Sequence, residues 1–106
     1  MLSEIDLDQL DAARAEGGLV LDVRDPDEYE AAHVPGARLV PLSELPGRLD
    51  EVPKGEPVSV ICQHGSRSMT AAQLLDRQGY DARSVAGGTS AWQESGRPVD
   101  TGPESA

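Results

Sequence analysis

Apolar positions in this chain recur in two rhythms that alternate along its length. Ile5, Leu7 and Leu10, with Ala12, Ala13 and Ala15, predict an opening helix that Gly17-Gly18 ends. Leu19-Val20-Leu21-Asp22-Val23 is a short, nearly continuous apolar run and reads as a buried strand. Asp25-Pro26-Asp27-Glu28 then predicts a helix start, with Asp25 as N-cap, Pro26 in the first turn and acids facing the dipole. His33-Val34-Pro35-Gly36-Ala37 keeps that helix short.

Arg38-Leu39-Val40 predicts a short strand. Leu42, Leu45 and Leu49 share one face of a helical segment over 41–52, which Pro46-Gly47 should break. After the turn Pro53-Lys54-Gly55-Glu56-Pro57, Val58-Ser59-Val60-Ile61 is the second clear buried strand. Residues 67–78 form the best helical pattern, with Ala71, Ala72, Leu74 and Leu75 on its apolar side and Gly79 where a C′ residue belongs. Ala82-Arg83-Ser84-Val85 predicts a last strand, and Gly87-Gly88 with a short helix around Ala91-Trp92 closes the pattern. Strands alternating with helices predict an α/β sandwich on a mainly parallel sheet. The stretch from Arg97 to Ala106 has Val99 as its one sizeable apolar residue. It predicts a mobile tail, so the domain is drawn at 1–99 and the tail at 100–106.

Composition sharpens this picture in three ways. The 106 residues suffice for one core, and with Phe absent and aromatics at 3% that core must be aliphatic. Nine basic against nineteen acidic residues give a net charge of −10, the reverse of a nucleic-acid binder and unsuited to an anionic membrane. The chain shows neither a membrane-length apolar run nor a secretory signal pattern at its start, which leads to an expected cytoplasmic location. Nothing in the sequence requires a dimer, and a monomer is expected.

The single cysteine, Cys62, excludes an intramolecular disulfide. A lone cysteine is ordinarily a small buried hydrophobe, so its surroundings must argue for more. Cys62 directly follows an apolar strand and precedes Gln63-His64-Gly65-Ser66-Arg67-Ser68 and a helix. Ligands bind at the C-terminal ends of strands in open α/β sheets. A tight loop running into a helix N-terminus turns backbone N–H groups toward one point. Gly65 permits the unusual φ such a loop needs, and Ser66 or Ser68 is expected to cap the helix. A thiol there should ionise more readily, aided by Arg67 and His64, with no acid between Cys62 and Arg67 in sequence.

The run Cys62-Gln63-His64-Gly65-Ser66-Arg67-Ser68 resembles the active-site loop of single-domain rhodaneses, the sulfurtransferases. Leu21-Asp22-Val23-Arg24, Glu28-Tyr29 and His33-Val34-Pro35-Gly36-Ala37 are similar to the family's N-terminal signature. Val85-Ala86-Gly87-Gly88, Trp92 and Gly96-Arg97-Pro98-Val99 are similar to its C-terminal one. The resemblance implies a five-stranded, mainly parallel sheet flanked by helices in three layers. It implies that Cys62 takes a sulfane sulfur from a small donor such as thiosulfate, becomes a persulfide and yields the sulfur to cyanide, a thiol or a protein acceptor. It assigns residues 63–68 to substrate binding and calls for no cofactor or metal. Two departures stand out: Ala32 where the signature usually has Gly, and Gln63 where many members carry Arg. The second removes a cation that would hold thiosulfate.

Two other readings remain. A sulfur relay or binding module would serve one dedicated protein, and the acidic surface would suit a basic partner. A phosphatase or arsenate reductase would need a loop one residue longer than the one between Cys62 and Arg67. Asp22, Arg24 and Glu28 are expected to form a structural ion-pair network, and His33 to hydrogen-bond within its turn. His64 either tunes the thiol or lines the mouth of the loop. Cys62, His64 and His33 match no zinc spacing. Gly87-Gly88 is expected to be a simple turn, and Trp92 a core anchor.

Overall fold

The computed structural model describes residues 3–104. The sheet contains β1 (Ser3–Ile5), β2 (Leu19–Asp22), β3 (Arg38–Leu39), β4 (Pro57–Ile61) and β5 (Asp81–Val85). The helices are α1 (Leu7–Ala15), α2 (Pro26–Ala31), α3 (Ser66–Arg77) and α4 (Gly88–Glu94). All pairings are parallel, in the order β1-β5-β4-β2-β3. No helix among the described residues is long and apolar enough to cross a membrane.

Because side chains alternate across a strand, the central strands feed two separate cores. On one face Leu21, Val58, Val60, Cys62 and Ala82 pack with Ala71, Ala72 and Leu75 of α3 and with Leu45 and Val52. On the other, Val20, Ile61 and Val85 meet Leu10 of α1, Tyr29 of α2 and Trp92 of α4. The α3 face is filled largely by small side chains, which lets that helix lie close to the strand carrying Cys62.

Most expected elements are present. Asp25 caps α2 through a capping box with Glu28, and Pro26 occupies its first turn. The segment over 41–52 breaks as expected, into two 3₁₀ turns at Leu45–Gly47 and Leu49–Glu51. Gly79 follows α3 with φ +88°. The opening helix differs: Ile5 belongs to β1, pairing with Val85, and α1 begins after Asp6. A strand of three residues with one buried position carries no periodicity to detect.

The C-terminal stretch lies against the domain where its composition suggests a tail. His33 and Asp100 exchange two backbone hydrogen bonds of 2.9 Å, and the Gly102 amide donates to the Glu30 carbonyl at 2.7 Å. Arg97 pairs with Asp8 and Asp11. These partners are backbone groups and charges, which hydropathy does not register. Residues 105 and 106 of the expected tail lie outside the described residues.

Removing residues 100–106 should lower unfolding free energy by about 1.5–4.5 kcal/mol, the sum expected for three net hydrogen bonds. Urea denaturation of the truncated chain checks this, and an unchanged midpoint would show that the docked segment adds no stability.

Candidate active site

Cys62 stands one residue past β4, with its side chain on the α3 face and only 1% exposed. Burial alone would hold the thiol protonated, since a thiolate in an apolar layer loses its hydration. Polar donors oppose that. Burial pushes the Cys62 thiol up, but the hydrogen bond it shares with the Ser68 side chain and those with the Ser68, Gly65 and His64 amides outweigh it and leave the thiol below its ordinary range. The Gly65 amide donates to Sγ at 3.1 Å. Gly65 itself is the N-cap of α3, with φ +114°, a conformation that favours glycine.

Neither serine caps α3 in the expected way. The Ser68 hydroxyl donates to the Gly65 carbonyl at 3.1 Å and lies 3.4 Å from Sγ, where it accepts the thiol proton. Ser66 is exposed and makes no side-chain cap. The reason is the sulfur: it takes up the polar groups at the start of α3, so a side-chain cap is replaced by the thiol as acceptor.

The loop is held from behind by α4. The Thr89 amide donates to the Cys62 carbonyl at 2.8 Å and the Ser90 amide to the Gln63 carbonyl at 3.0 Å. In a planar trans peptide the next N–H points away from its carbonyl. Fixing those two carbonyls on α4 therefore fixes the Gln63 and His64 amides on the opposite side. This contact needs Gly88. A Cβ there would strike the Cys62 carbonyl oxygen and come within 2.6 Å of the Gln63 carbonyl oxygen, and φ is already +59°. Gly87-Gly88, expected to be a plain turn, thus positions the loop. The paired glycines are its only trace in the sequence.

The acidic and basic residues near the loop form two pairs. Arg24, 2% exposed, donates to both carboxylate oxygens of fully buried Asp22, with the shortest contact 2.8 Å. It also donates to the Ala32 carbonyl and to Gln63 Oε1, each at 2.8 Å. Gln63 in turn donates to Ser90 Oγ at 3.0 Å, so one side chain ties the segments that follow β2 and β4 to the first turn of α4. An arginine at position 63 would face the Arg24 guanidinium; glutamine supplies the acceptor that Arg24 needs. Ala32 has φ −172°, extended backbone open to any residue, which accounts for the absence of glycine there.

Arg67 meets Glu28 in a two-pronged ion pair of 2.7 and 2.8 Å. That hydrogen bond holds the Glu28 carboxyl well below the usual range, at about 2. The sequence places no acid between Cys62 and Arg67, but α2 brings one to it. His64 is exposed at the loop. His33 is buried, stacks on Tyr29 at 3.6 Å and contacts the Tyr29 carbonyl at 2.7 Å through Nδ1, within its turn. Trp92 is fully buried, its indole N–H donating to the Pro98 carbonyl at 2.7 Å. A groove beside the loop is lined by Arg24, Glu28, Ala31, Ala32, Gln63 and Gln93.

Comparison with known proteins agrees with this geometry. A family model described as a rhodanese-like domain matches residues 6–95. A sulfurtransferase of Allochromatium vinosum is 35% identical over 102 residues, covering 93% of this chain and 95% of the relative. A thiosulfate sulfurtransferase GlpE of Actinobacillus pleuropneumoniae is 44% identical over 88 residues, covering 81% of each. The crystal structure of a rhodanese-related protein from Thermoplasma volcanium superposes with a TM-score of 0.85 at 32% identity, covering 92% of this chain and 96% of that one.

Two outcomes follow from the geometry. Gly88→Ala should cost about 2–4 kcal/mol in urea denaturation, because the added carbon meets backbone and the conformation is left-handed. It should also slow Cys62 alkylation at neutral pH; native stability and reactivity would contradict the bracing role of α4. In the native protein, the rate of iodoacetamide alkylation plotted against pH should have its midpoint below the ordinary thiol value of about 8.5. A midpoint above that value would mean that burial outweighs the donors.

Proposed function

Since the chain belongs to the rhodanese-like domain family, we propose that it transfers sulfur through a persulfide on Cys62. The observation that carries this reading is a buried sulfur at the end of a parallel strand that accepts a hydrogen bond from the Gly65 amide, with its thiol held below the ordinary range by the loop. In the first half-reaction the Cys62 thiolate attacks the outer sulfur of a donor such as thiosulfate. The sulfur–sulfur bond of the donor breaks and sulfite leaves with its electron pair. In the second, cyanide or a thiolate attacks the terminal sulfur, forming thiocyanate or a new persulfide and returning the Cys62 thiolate. The amides of residues 64, 65 and 68 that favour the thiolate would favour the terminal persulfide anion for the same reason. Cys62 is the proposed nucleophile, with Gln63, His64, Gly65, Ser66, Arg67 and Ser68 forming the proposed binding loop.

Charge shapes the choice of substrate. Arg24 is committed to Asp22, and Arg67 to Glu28. The loop therefore offers backbone amides rather than a free guanidinium to an incoming anion. This disfavours a phosphatase reading, in which a guanidinium clasps a tetrahedral oxyanion. It also favours, as a second reading, a relay to a protein whose basic surface complements a chain of net charge −10.

Incubation with thiosulfate followed by intact mass measurement should show the gain of one sulfur, reversed by cyanide and absent in Cys62→Ser. No adduct with any sulfane donor would overturn the persulfide cycle. Efficient transfer to one protein but not to small thiols would select the relay, and hydrolysis of an aryl phosphate dependent on Cys62 would revive the phosphatase.

A further inference from the structure

One buried polar group on the α3 face is left unexplained by the loop itself. Val58, Val60, Ala82 and Cys62 line that face in aliphatic fashion, yet β5 places Ser84 among them, fully buried and in register with Val60. A hydroxyl there is costly unless it is hydrogen-bonded. Its side-chain partner among the described residues is the Ser68 hydroxyl at 2.7 Å, and Ser68 is itself fully buried and 3.4 Å from Sγ. The three side chains form one line from sulfur through Ser68 to Ser84.

We propose that Ser84 is a positioning residue for the Cys62 thiolate, its hydroxyl acting through Ser68 to complete a chain of donors that ends on the sulfur. The inference rests on the reading of Cys62 as the nucleophile but not on what the sulfur carries afterwards. Each serine has one proton to donate. With Cys62 protonated, the thiol donates to Ser68, and Ser68 donates to either the Gly65 carbonyl or Ser84. When Cys62 releases its proton to solvent, Ser68 must turn its own proton to the sulfur. Its oxygen then needs a donor, and the Ser84 hydroxyl is in place to supply one. Apart from the S–H bond, which breaks with its electron pair left on the sulfur and its proton passed to solvent, only these hydrogen bonds change.

The two states respond unequally to loss of Ser84. In the thiol state Ser68 keeps both partners, because Cys62 donates to it and the Gly65 carbonyl, 3.1 Å away, accepts from it. In the thiolate state Ser68 donates to sulfur with its own oxygen unpartnered in a buried site. Removing the Ser84 hydroxyl therefore penalises only the thiolate. A hydrogen bond between neutral groups is worth a shift of about half to one pH unit.

The test is the pH profile of Cys62 alkylation in the full chain. Ser84→Ala should raise the midpoint by about half to one unit. Ser84→Thr, which restores a hydroxyl, should return it toward the native value. Ser59→Ala removes a buried hydroxyl from the opposite face of neighbouring β4 and should leave the midpoint in place. Ser68→Ala should raise the midpoint, and adding Ser84→Ala to it should shift it no further, because Ser84 acts through Ser68. An unchanged midpoint in Ser84→Ala would overturn the proposal, as would a shift of equal size in Ser59→Ala or in the Ser68→Ala background. Alkylation reports the thiolate whether or not a persulfide forms. Failure to gain sulfur in the mass experiment with these shifts intact would thus count against the persulfide cycle alone.

Discussion

An anionic sulfur at the end of a buried strand can exist only if donors are held against it by a backbone that does not relax. Here that backbone is held by α4. Its first turn binds the carbonyls of Cys62 and Gln63, at 2.8 and 3.0 Å, through the amides of Thr89 and Ser90. Peptide planarity then decides where the amides of residues 63 and 64 point. Everything nearer the sulfur, from the left-handed Gly65 to the first turn of α3, sits on a loop whose rear side is already fixed. The absence of a side chain at Gly88 is what allows α4 to come so close.

The electrostatics of the site are local for the same reason. A net charge of −10 would repel any anionic donor from afar. Salt screens charges beyond about 8 Å, so a donor at contact meets the loop amides and not the molecular total. The arginines add less than their number suggests. Asp22 and Glu28 draw Arg24 and Arg67 into structural pairs, and Gln63 completes the set by accepting from Arg24.

Ser84 shows how the scaffold reaches the chemistry. It belongs to a neighbouring strand and touches the sulfur only through Ser68. A layer made mostly of Val, Ala and Leu tolerates it because the two hydroxyls satisfy each other. The same economy explains the departures of α3 from ordinary helix capping: polar groups that would close the helix end serve the sulfur.

Local pattern was enough for what depends on near neighbours in the chain. The apolar runs of β2 and β4, the capping of α2 by Asp25, the glycine after α3 and the placement of Cys62 between strand and helix are all legible in the sequence, because each is dictated by residues a few positions apart. Strand β1 was not, since its single buried residue gains meaning only beside Val85. Nor were the docking of Asp100 and Gly102, which rests on backbone hydrogen bonds with no side-chain signature. The pairing of Arg67 with Glu28, the bracing of the loop by α4 and the line from Ser84 to Cys62 likewise required the tertiary structure. Each joins groups distant in sequence, and only the order in which the strands lie side by side brings them within hydrogen-bonding distance.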